Sequence, residues 1–139
     1  VFSAVTASNF LLLNELSTEN VSNYLSNNTS GRSPLSECIS EGADEENCTK
    51  IAECLIDRAA KLVAANLAAV LLKTNKGKSP DRPILITVEG TAFYKLHNLK
   101  PLFEKYFREY LSGELERYYE FTEVPQSSLA GAALAALIN

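Results

Sequence analysis

The sequence predicts an α/β fold whose second half reads β-α-β-α with parallel strands, packed on one long helix rich in small residues. Three observations carry that expectation. The run "ILITV" (84–88) is uncharged and dominated by β-branched residues, as a strand buried on both faces reads. From about Asp44 to Asn75 there is neither Gly nor Pro, and Ile51, Leu55, Ile56, Leu62, Val63, Leu67, Val70 and Leu71 recur at helical spacing. Between "ILITV" and a second strand-like run, "RYYEFTEV", lies a stretch with Leu99, Leu102, Phe103, Tyr106, Phe107 and Tyr110 on one helical side.

Each element follows in order. Residues 1–16 are apolar but irregular. In "LSTENVSNYLSN", Ser17 or Thr18 is placed to cap a short helix. The polar stretch "NNTSGRSPLSECISEGADEEN", broken by Gly31, Pro34 and Gly42, reads as a loop holding a short helical turn, so residues 1–43 are expected to be irregular with short helices. The long helix is expected over 44–76. Asp44, Glu45 and Glu46 suit its N-terminus, and Lys73 and Lys76, followed by Gly77, its C-terminus. Its central "AAKLVAANLAAVLL" is small on nearly all sides, which predicts a largely buried helix. At ~1.5 Å per residue an unbroken rod would run roughly 45 Å, so a bend or split is expected. "NKGKSPDR" is a turn. Residues 83–139 then supply the β-α-β-α half: "ILITV", a helix from about Asn98 to Ser112 with Pro101 in its first turn, a wetter strand, a turn at Pro125–Gln126, and a final helix "LAGAALAALIN" capped by Ser127 or Ser128.

Composition bounds the function. The chain has 139 residues, 46% of them hydrophobic, enough for a single domain with a core. Net charge is −4 and the basic residues are scattered, which argues against nucleic acid. No apolar run reaches the ~18–20 residues of a membrane span, and the apolar start lacks the basic region of a signal peptide. Three cysteines, Cys38, Cys48 and Cys54, form no CxxC, which points to reduced thiols and a cytoplasmic protein. A first residue other than Met, in an apolar start, suggests a segment of a longer chain.

Among the motifs, Gly90–Thr91 follows the first strand. A glycine there lets the backbone turn sharply and a flat ligand approach, and Thr91 adds a hydroxyl that reaches phosphate or ribose; an ordinary strand-end turn reads the same way. The start of the final helix, with Gly131 in its first turn, offers free N–H groups to a polar ligand, or simply packs closely. Thr18 and Ser22 reach a ligand or serve as helix-cap residues. His97, the single histidine, has no second ligand at metal spacing and reads as structural, so no metal site is expected. GxGxxG, a Walker loop and H-E-x-x-H are all missing, and none of Asp44, Asp57 and Asp81 looks placed as a buried general base.

The order of these parts resembles the end of the large domain of a hexokinase. The helix "LIDRAAKLVAANLAAVLLKTNKGKSPDR", the strand, "VEGTAFYKLH" and "YYEFTEVPQSSLAGAALAALI" fall in the family's order, and "STENVSNYLS" falls on its short Thr-containing segment near the nucleotide. The likeness is strong from Ile51 to Ile138 and weaker before Asp44. It implies a partial ribonuclease H-like lobe of the actin-like ATPase fold and the adenosine-binding side of an ATP site. By that resemblance Gly90 and Thr91, with Ala92, Phe93 and Tyr94 behind them, border adenosine and its phosphates. Ser128 and Gly131 line the purine slot, and Thr18 to Ser22 form a third wall. Departures are Glu89 where many members have Asp, one extra residue before Tyr94–Lys95, no Gly in "PQSSLAG" before Gly131, and Asn98 where Pro is usual.

The resemblance also implies ATP with Mg²⁺ as cofactor in the parent enzyme, and ATP or ADP and a hexose as its partners. The family's phosphate loop, its sugar-binding segment with the catalytic Asp, and its two sugar-binding Glu residues have no counterpart here, so the chain alone is expected to be inactive. Two other readings stand beside this one: a non-catalytic hexokinase-like sensor of sugar or nucleotide, and an unrelated helical interaction module.

Overall fold

The computed structural model describes residues 2–26, 33–40, 42–122 and 127–138. Three short helices open the chain. In α1 (Ala4–Leu11) the Ser3 hydroxyl accepts from the Thr6 N–H, and in α2 (Thr18–Leu25) Ser17 and Asn20 close a reciprocal capping box. Ser33 caps α3 (Pro34–Cys38), whose first residue is the proline that a first helical turn tolerates.

The long helix α4 runs unbroken over 33 residues, Gly42–Thr74, roughly 50 Å, and so is not split. It is not buried all round. Asp44, Cys48, Ala52, Ile56, Ala60, Ala64 and Ala68 are buried, a strict every-fourth-residue row, followed by Leu71. Each step of four residues overshoots a full turn by about 40°, so six steps carry the row about 240° around the rod. The N-terminal half therefore faces one cluster, built on Tyr24, Leu35 and Cys48, and the C-terminal half another. Leu55, Leu62, Val63 and Val70 lie between half and three-fifths exposed, and Ala65 is exposed too. Small side chains thus mark a close contact along one row and not depth on every side.

After the turn, β1 (Ile84–Thr87) pairs in parallel with β2 (Tyr119–Thr122), Ile84 opposite Tyr119 and Thr87 opposite Thr122. Between them lie α5 (Thr91–Lys95), α6 (Leu99–Tyr110) and a short 3₁₀ turn, Gly113–Leu115. The expectation that β1 is buried on both faces does not hold. Ile86 is buried but Leu85 is 67% exposed, because among the described residues α6 covers one face of this two-stranded sheet. The main core is where α6 lies between α4 and the sheet. Phe103 and Phe107, 2% and 0% exposed, sit on Ala60, Ala64 and Ala68 and reach across to Phe121 and Tyr119, with Phe107 4.7 Å from Tyr119 between ring centres. Alanines on α4 are what admit two phenyl rings there.

The last helix, α7 (Ser127–Ile138), is exposed at Leu129 and from Gly131 to Leu137, so the close packing expected of its small residues is not made among the described residues. The N-terminal cluster is tied by polar groups. Asp44, expected at the N-terminus of the long helix, is buried there: its carboxylate accepts from the Ser3 hydroxyl at 2.6 Å and the Ser3 N–H at 3.0 Å. Thr6, fully buried, shares a hydrogen bond with the Ser40 hydroxyl at 2.9 Å and accepts from the Ser40 N–H at 3.1 Å.

Candidate functional site

The sharp turn after β1 depends on Gly90. Its φ of 126° lies where L side chains are strained, although a Cβ there would meet nothing within 4 Å. Glycine is required by the backbone alone. The turn starts α5 at Thr91, and α5 is then fastened to α2. The buried Ser22 hydroxyl donates to the Lys95 carbonyl at 3.0 Å and accepts from the His97 N–H at 3.0 Å. The Ser26 hydroxyl meets His97 Nδ1 at 3.1 Å, and Asn98 Nδ2 meets His97 Nε2 at 2.9 Å. His97 is a joint between α2 and the start of α6, in keeping with its structural reading.

This fastening opens a cleft of about 440 Å³ between α2 and α5. Thr18 and Ser22 line it from one side, and Thr91 and Ala92 from the other, with Lys95 contributing a cation and Glu19 a carboxylate. Four of the nine expected site residues are thereby brought together across some seventy positions of sequence. Among the described residues neither the Thr18 nor the Thr91 hydroxyl has a hydrogen-bond partner, so both are available to a ligand. Ser22 differs, because its hydroxyl is spent on two backbone groups and holds the wall in place. Ser17, and not Thr18, is the helix cap, which is why the Thr18 hydroxyl is left unengaged.

The other expected residues stand elsewhere. Gly90 abuts the cleft as the residue before α5. Phe93 turns into the main core, edge-on to Phe103 at 5.2 Å. The Tyr94 hydroxyl donates to the Val88 carbonyl at 3.2 Å, bracing the turn, and Lys100 lies 5.5 Å from its ring centre. Gly131 stands in open space, where a Cβ would meet nothing within 4 Å, and the Ser128 side chain lies outside the described residues. Sequence reasoning missed Lys95 and the bridging role of Ser22. The "YKLH" run named the lysine without signalling that α5 would turn it toward α2.

Asp57 and Asp44 are engaged away from the cleft. Asp57 accepts from the Tyr106 hydroxyl and pairs with Lys61 at 2.7 Å, which hold its carboxyl below the usual range, Lys61 first and Tyr106 second. Asp44 is held low by the Ser3 and Thr6 hydroxyls. Among the described residues no group of three or more His, Cys, Asp or Glu is placed to hold a metal ion. No described helix is long and apolar enough to cross a membrane. Cys38 and Cys48 are buried free thiols, and burial pushes both up, while Cys54 is exposed.

A family model described as Hexokinase matches residues 3–138. The chain belongs to the hexokinase family. No curated protein and no solved structure matches it. As a family, hexokinases transfer a phosphoryl group from ATP, with Mg²⁺, to a sugar. The match spans both walls of the cleft, and the mixed α/β architecture with two parallel strands accords with a sugar-kinase fold. It removes the reading of this hexokinase-family chain as an unrelated helical module.

Proposed function

We propose that this chain supplies the adenosine-binding side of the ATP site of a hexokinase, as part of an actin-like ATPase lobe. The whole protein moves a phosphoryl group from ATP to the 6-hydroxyl of a hexose. The observation that supports this most directly is the cleft shared by Thr18, Ser22, Thr91 and Ala92, at the carboxyl end of a parallel strand, where α/β ligand sites lie. Two unpartnered hydroxyls and the Lys95 ammonium suit ribose and phosphate oxygens. Thr91 hydrogen-bonds the nucleotide, Lys95 offsets its charge, Ser22 and Gly90 shape the walls, and Ser128 and Gly131 bring the final helix to the purine. Mg²⁺ and the hexose are held by residues outside this chain. Without a phosphate loop or a placed carboxylate base, catalysis by the chain alone is not expected, and sugar-dependent ADP release from the pure chain would contradict this division of labour.

The test is an amide chemical-shift titration with ADP. Shifts should gather at Thr18–Asn23 and Thr91–Leu96, with a dissociation constant near millimolar, about −4 kcal/mol. Thr91→Val should weaken binding about tenfold, the loss of one charge-assisted hydrogen bond. Shifts confined to other segments, or unchanged affinity in Thr91→Val, would remove the nucleotide from this cleft.

A further inference from the structure

At the end of the sheet opposite Gly90 and Thr91, the chain passes from α4 to β1 through residues 75–83. A second cleft, of about 620 Å³, opens there, lined by Lys76, Lys78 and Arg82 together with Ser79, beside the first residues of β1. The loop that carries these cations is pinned. Asn75 and Gly77 have φ of 56° and 68°, and a Cβ on Gly77 would stand 2.8 Å from the Tyr118 carbonyl oxygen. The Tyr118 N–H donates to the Gly77 carbonyl at 2.8 Å, the Ile84 N–H to the Tyr118 carbonyl at 2.9 Å, and the Arg82 N–H to the Ser79 carbonyl at 3.1 Å.

The charge of the cleft runs against that of the chain. Net charge is −4, yet three basic side chains line this one space and no carboxylate does. The lysines in ion pairs among the described residues are Lys50, Lys61 and Lys100, none of them here. Of the neighbouring carboxylates, Asp81 is turned toward the Ser79 hydroxyl at 3.5 Å, and neither it nor Glu116 lines the cleft. A fourth cation stands at this end of the sheet. Arg117 precedes Tyr118, and its Nε–H is buried with no acceptor among the described residues, while Nη1 donates to the Glu116 carbonyl at 2.7 Å. Arg117 does not line the cleft. The like charges of Lys76, Lys78 and Arg82 on a fixed loop repel, a compact anion carrying more than one charge relieves that repulsion, and a cleft of this size suits a small molecule better than a polymer.

We propose that this cleft binds a small phosphate-class dianion, either inorganic phosphate or a phosphomonoester, at a site separate from the nucleotide cleft. The Lys76, Lys78 and Arg82 side chains hold its oxygens. The test is an amide chemical-shift titration of the chain with inorganic phosphate, with glycerol phosphate, and with sodium chloride at matched ionic strength. Saturable shifts across Lys76–Arg82 are expected with the phosphates and not with chloride. Lys78→Gln combined with Arg82→Gln should weaken binding at least about tenfold, with Lys50→Gln as an unaffected control. Tighter binding of glycerol phosphate than of phosphate assigns the site to an ester, and equal binding to the free ion. Shifts that do not saturate, that chloride reproduces, that survive in the double variant, or that gather at Thr91–Leu96 instead would overturn the proposal.

Discussion

Ala64 and Ala65 are adjacent on α4 and should answer the same substitution in opposite ways. Ala64 is 0% exposed and packs in the core that holds Phe103 and Phe107, whereas Ala65 faces solvent. Ala64→Leu drives three extra carbons into a space already filled by two rings with almost no exposure of their own. Neither ring has an open side to move into, so the cost should fall toward the upper part of the overpacking range, about 2–3 kcal/mol. Ala65→Leu places the same atoms in water and costs little beyond a small propensity difference, under about 0.5 kcal/mol. For a chain of this length each kcal/mol shifts the midpoint roughly 3–5 °C. The Ala64→Leu variant should therefore melt about 6–15 °C below the parent, and the Ala65→Leu variant within about 2 °C of it. Thermal unfolding followed by circular dichroism at 222 nm reads both. If the two variants melt together, or Ala65→Leu is the less stable, the face that α4 turns to the core is not the one carrying Ala64.

Gly77→Ala should destabilise more than Gly113→Ala. Both have positive φ, but only at Gly77 does the new methyl meet a carbonyl oxygen, at 2.8 Å, so about 1–2 kcal/mol is expected at Gly113 and more at Gly77, read by urea unfolding. Asp44 makes the chain acid-sensitive. Its folded carboxyl titrates below the unfolded value, so its contribution is fully present above about pH 4 and fades as pH falls through the folded value. Asp44→Asn should flatten the acid limb of the melting-temperature profile, and an unchanged limb would mean the Ser3 bonds do not hold in solution. Asn98 has φ of 55°, which proline, fixed near −65°, cannot adopt. Asn98→Pro should lower stability by about 1–3 kcal/mol while Asn98→Gly stays near the parent in the same unfolding experiment.

The elements were legible where their signal is local. Apolar spacing located α4 and α6, an uncharged β-branched run located β1 and an aromatic-rich, partly charged run located β2, because a helix or strand repeats its own period within a few residues. The first helix escaped because eight residues hold barely two turns, and its anchor, Ser3 against Asp44, spans forty-one positions. Burial was misjudged at Ala65 and Leu85 for one reason. Composition says that a residue tolerates a close neighbour, while only the assembled chain says whether a neighbour is there. The cleft was half legible. Glycine and threonine after a strand pointed to Gly90 and Thr91, but a serine that bridges two backbone groups looks in sequence like any other serine, so the part played by Ser22 emerged only with α5 beside α2.

One unbroken rod serving two cores also restricts how this lineage can change in length. Deleting a single residue between Ile56 and Ala60 would turn everything beyond it by about 100° and draw it about 1.5 Å closer, so Phe103 and Phe107 would meet other side chains where they now meet alanines. Removing seven residues, nearly two whole turns, would restore the phase to within about 20° yet shorten the span by roughly 10 Å and pull the two clusters together. Neither remedy is open to α4. Its side chains are free to vary wherever they face water, but its residue count is fixed, and insertions and deletions along this chain should collect in the connections on either side of it.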